Sequence, residues 1–254
     1  MTTDTYLITG ASSGIGQACA EMLAGPGVQL ILTARRAERL NALKEKLEAT
    51  GARIFTSSFD IRSRQACEDF VAEIPEPFRA VRVLVNNAGL AAGLDPIQRG
   101  NPDHWDRMID TNLKGLLYLS RAVVPLLQAV EGAQIINIGS IAGKEVYPNG
   151  NVYCASKHAV DALTRGMRMD LQPLGIRVSS VSPGMVETEF SLVRFDGDAN
   201  KAALVYKGLE PLMAEDIAAQ VKYIAQQPYR ITIADVVIFP AAQASSRDVL
   251  RRNE

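Results

Sequence analysis

Short runs of apolar and β-branched residues alternate with longer mixed stretches along the whole chain. The runs at 6–9, 29–33, 53–57, 81–86, 134–138, 177–181 and 235–239 have the length and composition of strands. The stretches at 14–24, 37–50, 62–74, 103–130, 152–172 and 214–226 are expected to be helices. Val83-Leu84-Val85 and Ile135-Ile136 are apolar on both faces, as in a parallel sheet covered by helices on each side. Right-handed crossovers then predict an α/β fold, a doubly wound parallel sheet of about seven strands. No repeat, low-complexity tract or linker divides the 254 residues, so one domain is expected over 1–254.

Local signals refine this pattern. Asn101-Pro102-Asp103 supplies a cap and a first-turn proline for the helix at 103–130. Pro125 should kink that helix or end its regular part. Asn112, a poor helix former, falls in its middle and is expected to bend it and hold a water linked to Lys157. Ala155, Ala159, Ala162 and Gly166 form a stripe of small residues on the next helix. That stripe suits close approach of another helix, within the chain or across a subunit interface.

Composition changes the picture mainly by exclusion. The chain is 47% hydrophobic, enough for a sizeable core, and its net charge of −1 gives no electrostatic case for nucleic acid or membrane partners. The most apolar helical stretch, 113–130, contains Lys114, Arg121 and Pro125 and reads as a packing helix, not a membrane span. Cys19, Cys67 and Cys154 lack metal-like spacing and read as reduced thiols of a cytoplasmic protein. Met1-Thr2-Thr3-Asp4 has no secretion-signal character. His104 and His158 have no companion at metal or triad spacing, so no metal is expected, and Trp105 reads as a packing residue.

The first strand runs into Gly10-Ala11-Ser12-Ser13-Gly14-Ile15-Gly16 and then a helix. Strand, glycine turn and helix make the phosphate-binding unit of a Rossmann fold. Gly10 permits the turn, Gly14 lets the backbone approach a pyrophosphate, and Gly16 lets the helix pack closely. Ser12, Ser13 and Ile15 lie within the same cradle, whose helix N-terminus directs free N–H groups at an anion. The second strand ends in Ala34-Arg35-Arg36, with no acid at the point where a carboxylate would bind the ribose of NAD. Arg35 and Arg36 suit a 2′-phosphate, so NADP is the expected cofactor. Both arginines read alternatively as solvated starters of the next helix, as Arg39 does.

Ligands of such sheets sit beyond the carboxyl ends of the strands. Asp60-Ile61 follows the third strand, as an adenine contact or as a helix cap. Asn86-Asn87-Ala88-Gly89 follows the fourth; Asn87, Ala88 and Gly89 leave room for ribose and adenine. Ser140 follows the fifth. Pro183-Gly184 follows the sixth, with Val186 and Thr188 close behind to meet a carboxamide or phosphate oxygen. Tyr153 and Lys157 are four apart, hence on one helix face. A cation beside a phenol lowers the tyrosine pKa toward working pH and lets it exchange a proton with an alcohol or carbonyl oxygen. Ser140, thirteen positions before Tyr153 (153 − 140), could hold that same oxygen.

Thr9-Gly10-x-x-x-Gly14-x-Gly16, Asn86-Asn87-Ala88-Gly89, Asn112, Ser140, Tyr153-x-x-x-Lys157 and Pro183-Gly184 together resemble the short-chain dehydrogenases/reductases over nearly the whole chain. The resemblance implies a tyrosine acid/base at Tyr153 and a substrate-orienting serine at Ser140. It implies a lysine at Lys157 that binds nicotinamide ribose, a proton-relay asparagine at Asn112, and dimers or tetramers built through the two long helices. A narrower likeness covers residues 34–40, 86–94, 136–140 and 189–198. It points to NADP-dependent 3-hydroxy acid dehydrogenases, which act at the 3-hydroxyl of serine and allo-threonine. The expected reaction is hydride transfer between NADP and the 3-position of such an acid. A carbonyl reductase for an acyl thioester, steroid or other bulky ketone is the alternative, followed by a non-catalytic NADP sensor. Residues 185–212 are expected to form a substrate loop, mobile over 189–206. Arg194, or else Lys144, is expected to meet the substrate carboxylate. Met185-Val186-Glu187-Thr188 is shorter than the corresponding glycine-rich segment of that group.

Overall fold

The computed structural model describes residues 4–252. Residues 1–3, on which the expectation of no secretion signal partly rests, lie outside that range. The chain alternates strand and helix: β1 (Asp4–Thr9), α1 (Gly14–Leu23), β2 (Val28–Ala34), α2 (Ala37–Glu48), β3 (Arg53–Ser58), α3 (Arg64–Glu73), β4 (Val81–Asn86), α4 (Pro102–Ile109), α5 (Leu116–Gln128), β5 (Gln134–Ile138), α6 (Asn151–Leu171), β6 (Arg177–Pro183), α7 (Phe190–Arg194), α8 (Ala199–Tyr206), α9 (Ala214–Ala225) and β7 (Asp235–Ile238). These seven strands form one parallel sheet in the order β3-β2-β1-β4-β5-β6-β7. Strand order reverses between β1 and β4, which opens a crevice beyond their carboxyl ends.

Alternation along the strands feeds two cores. Leu7, Ile31, Leu84, Ile135 and Val178 face one side, packed with Phe70, Leu119 and Val123 from α3 and α5. Ile8, Leu30, Leu32, Val85 and Ile136 face the other, packed with Ala18, Leu40, Ile217 and Val221 from α1, α2 and α9. Leu7 pairs in register with Ile31 on one side and Leu84 on the other, so a row of buried side chains crosses the sheet. Truncating one such residue to alanine costs about 2–5 kcal/mol.

Three expectations need correction. The helix expected over 103–130 is two helices, α4 and α5, joined by a wider π turn at Asp110–Gly115. Asn112 lies in that turn and ties it to a distant loop: it accepts from Leu90 N and donates to Leu90 O, both at 2.8 Å. Of the two expectations for Pro125, a kink or an end to the regular helix, the second does not hold, since α5 continues to Gln128. Ser63, not Asp60, caps α3, accepting from Ala66 N at 3.2 Å, so the helix starts later than expected.

The stretch expected as a mobile loop over 189–206 contains α7 and α8. Asp198 caps α8 by accepting from Lys201 N at 3.0 Å. Tyr206 lies 2.8 Å from both Val186 O and Ser191 Oγ, which ties the two ends of this cover together. Two-residue strands, Val186–Glu187 and Leu212–Met213, pair in parallel at its base. The carboxyl-terminal segment holds both flanks. Gln243 accepts from Met185 N at 2.9 Å, and Arg252 N donates to Gly208 O at 2.8 Å.

Candidate active site

The crevice holds a cleft of about 320 Å³ lined by the glycine turn, the ends of β2 to β6 and the first residues of the cover. That volume lies within the range of small-molecule sites, ~300–1,000 Å³. All the cofactor-site candidates except Gly16 line it, from Gly10, Ser12, Ser13, Gly14 and Ile15 to Pro183, Gly184, Val186 and Thr188. Gly16 sits one step behind the wall. A Cβ there would lie 2.5 Å from Gly10 O, so only glycine allows α1 to begin this close to the turn. Gly10 has φ +65 and faces Asn87, the conformation glycine adopts without strain.

Thr9 stitches the crevice shut at its base. Its hydroxyl accepts from Asn87 N and Ala88 N at 2.9 Å each, and Asn87 Nδ2 donates to Thr9 O at 2.8 Å. Thr9 was not among the candidate site residues; a threonine ending a buried strand was the available signal. Asp60 and Ile61 line the cleft beyond the end of β3. Arg62 meets the Asp60 carboxylate at 2.6 Å and holds its pKa below the usual carboxylate range. Arg35 is exposed at the rim.

Arg36 reaches across the glycine turn, donating to Ser13 Oγ at 2.7 Å and Ser12 Oγ at 3.1 Å. Its other edge meets Glu189 at 2.9 Å, and Glu189 also meets Arg39 at 2.6 Å. Arg39, expected to be simply solvated, therefore helps bridge the mouth of the cleft. Glu189 was not a candidate, because it lies 153 positions from Arg36 and nothing local marks it.

Ser140, Tyr153 and Lys157 come together on the cleft wall beneath α7. Tyr153 and Lys157 lie one turn apart on α6, whereas Ser140 follows the end of β5 by two residues and caps the short turn Ile141–Gly143. All three are buried. The Lys157 ammonium donates to Ile138 O at 2.9 Å, and burial pushes its pKa down to about 8. Burial pushes the Tyr153 phenol above its ordinary value, while the charge of Arg194 and a hydrogen bond from Ser140 pull it the other way. Burial outweighs both, and the charge that acts on this phenol is that of Arg194, not the expected Lys157. Arg194 stands 5.0 Å from the Tyr153 ring centroid and 5.4 Å from that of Phe190, and donates to Tyr147 Oη at 2.7 Å. Its Nε is buried and has no hydrogen-bond partner among the described residues. Lys144, the other candidate for a substrate carboxylate, is held between Asp161 and Asp235 at 2.5 and 2.6 Å and is spent.

Asn112 does not line this cleft. Its carboxamide spends both donors on Leu90 O and Ser156 Oγ, the latter at 3.0 Å, so the side chain braces the turn. Gly89 carries no side chain beside Asn112 and Lys157; a Cβ there would lie 3.2 Å from Asn112 Oδ1. His104, His158 and Trp105 lie off the cleft lining: His104 meets Asp196 at 3.3 Å, His158 bonds Cys154 O, and Trp105 packs beside Met108.

The site therefore presents a buried tyrosine, serine and lysine at the end of a groove with a glycine turn. Such an arrangement can exchange a proton with a substrate oxygen at one end and hold an anion at the other. The sequence profile of the family described as short chain dehydrogenase matches residues 4–197. The chain is a short-chain dehydrogenase. Among curated members of the family, it is 44% identical to sulfoacetaldehyde reductase 2 of Chromohalobacter salexigens over 98% of this chain and 99% of that protein. It is 43% identical to an NADP-dependent 3-hydroxy acid dehydrogenase of Salmonella typhi, covering 94% and 95% of the two chains. In three dimensions this short-chain dehydrogenase is similar to the closed form of a serine dehydrogenase complexed with NADP+. The TM-score is 0.89 at 37% identity, with coverage of 98% and 100%.

Proposed function

We propose that the enzyme moves a hydride reversibly between NADP(H) and the 3-position of a small 3-hydroxy acid, such as serine or allo-threonine. The observation that carries this reading is Arg194: a guanidinium with a free buried Nε, set over the ring of Tyr153. Arg194 stands against that ring and outside the residues lining the cleft, so it reads a substrate anion by turning its guanidinium past Tyr153, within reach of the group that handles the proton. The residues present also fit the cofactor. The glycine turn leaves backbone room that a Cβ would fill, and Ser12, Ser13, Arg35 and Arg36 form an anion-binding corner at the end of β2.

NADP, when bound, supplies or accepts the hydride. Tyr153 takes the hydroxyl proton in oxidation and returns one to the carbonyl oxygen in reduction. Ser140 holds that oxygen. Lys157 binds the nicotinamide ribose. Because the Asn112 side chain is occupied, any proton relay through this residue uses its backbone carbonyl. Pro183, Gly184, Val186 and Thr188 hold the nicotinamide side of the cofactor, and residues 185–212 cover the substrate.

The sulfoacetaldehyde reductase relative favours a second substrate of the same design. A 3-oxo acid and sulfoacetaldehyde each place one carbon between the reacting carbonyl and the anionic head. Arg194 can read either a carboxylate or a sulfonate. We place the enzyme in the cytoplasm as a homodimer or homotetramer built through its long helices; Ala155 and Ala162 on α6 are exposed on a single chain, free to meet a second copy.

The test is NADP-linked oxidation of L-serine, allo-threonine, 2-hydroxyethanesulfonate, serine methyl ester and a panel of neutral secondary alcohols and steroids, repeated with NAD. Oxidation of the anionic alcohols well above the ester supports the proposal. Turnover confined to bulky neutral alcohols or ketones would sink it, and tight NADP binding with no turnover would make the protein a sensor.

A further inference from the structure

The end of β2 carries arginines and no acid, yet the fold delivers a carboxylate to that place from across the cleft. Glu189 Oε2 lies 2.9 Å from Arg36 Nη1, and Oε1 lies 2.6 Å from Arg39 Nη1. The same Arg36 guanidinium donates to Ser13 Oγ at 2.7 Å, so a single planar group joins Glu189 to the glycine turn. Glu189 and Arg36 both line the cleft. Arg39 and Arg36 hold the Glu189 carboxyl below its usual range, so it is ionised at neutral pH.

A carboxylate at this corner acts oppositely on the two dinucleotides. A ribose 2′-hydroxyl is a hydrogen-bond donor and finds an acceptor. A 2′-phosphate is an anion and must compete with Glu189 for the same guanidinium groups. The competition is a mild one. The side chains of Arg36 and Glu189 are 41% and 39% exposed, and ion pairs this open to water are weak. The phosphate can therefore displace the carboxylate, but at a loss of affinity.

We propose that Glu189 sets the balance between NADP and NAD: it supplies from the cover the ribose-reading carboxylate that β2 lacks, and it weakens the grip of Arg36 and Arg39 on a 2′-phosphate. The proposal rests on the assignment of the dinucleotide site given above. It makes the enzyme's preference for NADP smaller than its arginines alone would give. It also makes the first residue of the cover a specificity determinant, although it lies far from the reacting atoms.

The test is calorimetric binding of 2′,5′-ADP and 5′-AMP to the full chain, without substrate or turnover. Glu189→Gln keeps the shape and removes the charge, and Glu189→Ala removes the arm; thermal unfolding checks that both remain folded. The ratio of affinities, 2′,5′-ADP over 5′-AMP, rises about fivefold in both variants, the size of one exposed charge–charge contact. An unchanged or lower ratio overturns the proposal, because Glu189 would then be idle or would be orienting Arg36 for the phosphate. If the wild-type protein binds the two probes equally and Glu189→Gln creates the preference, Glu189 keeps its role and the reading of NADP as the favoured cofactor fails.

Discussion

Lys157 lies at the inner end of the cleft, buried, its ammonium on the Ile138 carbonyl and its pKa pushed down to about 8. Arg36 and Arg39 stand at the outer end, half exposed, sharing Glu189. The inner cation has lost most of its water without gaining a carboxylate, so the folded chain carries a cost there. The outer cations keep much of their hydration, and their carboxylate is exchangeable. Proton chemistry needs the costly arrangement, because a poised group must respond to its neighbours. Recognition of a phosphate needs the cheap one, because the ligand itself completes the site.

The largest effect expected at the inner end comes from Tyr153→Phe. Turnover should fall by ~10²–10⁴-fold, the usual contribution of general acid–base catalysis, while NADP affinity by fluorescence titration stays near wild type. Near-native turnover would remove the phenol from the mechanism. Arg194→Met should lower kcat/KM for anionic alcohols by roughly 30–1,000-fold, the loss of a buried charged partner at about 2–4 kcal/mol. Neutral secondary alcohols should change only a few-fold. Equal losses on both would reduce Arg194 to a support for Tyr153.

A third measurement bears on the cost itself. Burial lowers the folded pKa of Lys157 from its ordinary 10.5 to about 8. Between those values the unfolded chain keeps a proton that the folded chain has released, so this residue's contribution to stability rises with pH through that window. Below about pH 8 the full penalty is present. Lys157→Met should therefore stabilise the cofactor-free protein at pH 7 by about 2–3 kcal/mol, less the lost bond to Ile138, and the gain should fade toward pH 10.5. Urea melts at pH 7 and pH 10 would show it; a pH-independent difference would mean the ammonium is not strained. The smallest effect belongs to the outer end. Arg39→Gln should shift stability by less than ~1 kcal/mol in the same melts, and a larger loss would contradict the contrast between the two ends.

The sheet was legible because its strands are apolar on both faces, which leaves few other folds. Tyr153 and Lys157 were legible because helical spacing alone puts them on one face. Residues whose roles come from long-range geometry were not. Glu189 acquires its role from Arg36; Arg194 was a candidate from the sequence, but its place over the Tyr153 ring and against Tyr147 was not readable there. The π turn at Asn112 is tied to Leu90, 22 positions away; a window of local sequence shows only an asparagine inside a helix. The cover was misread for a different reason. Its helices are short and the first has no side-chain cap, yet Asp198 before an alanine-rich run was a usable helix start.

Gln243 and Arg252 bind the opposite flanks of residues 185–208. Neither side chain lines the cleft, yet together they fix the leverage of everything laid over it. Adding or deleting one residue between the two anchors re-registers both attachment points at once. A strap that shares no atom with the cleft lining thus sets where the segment laid over it is held.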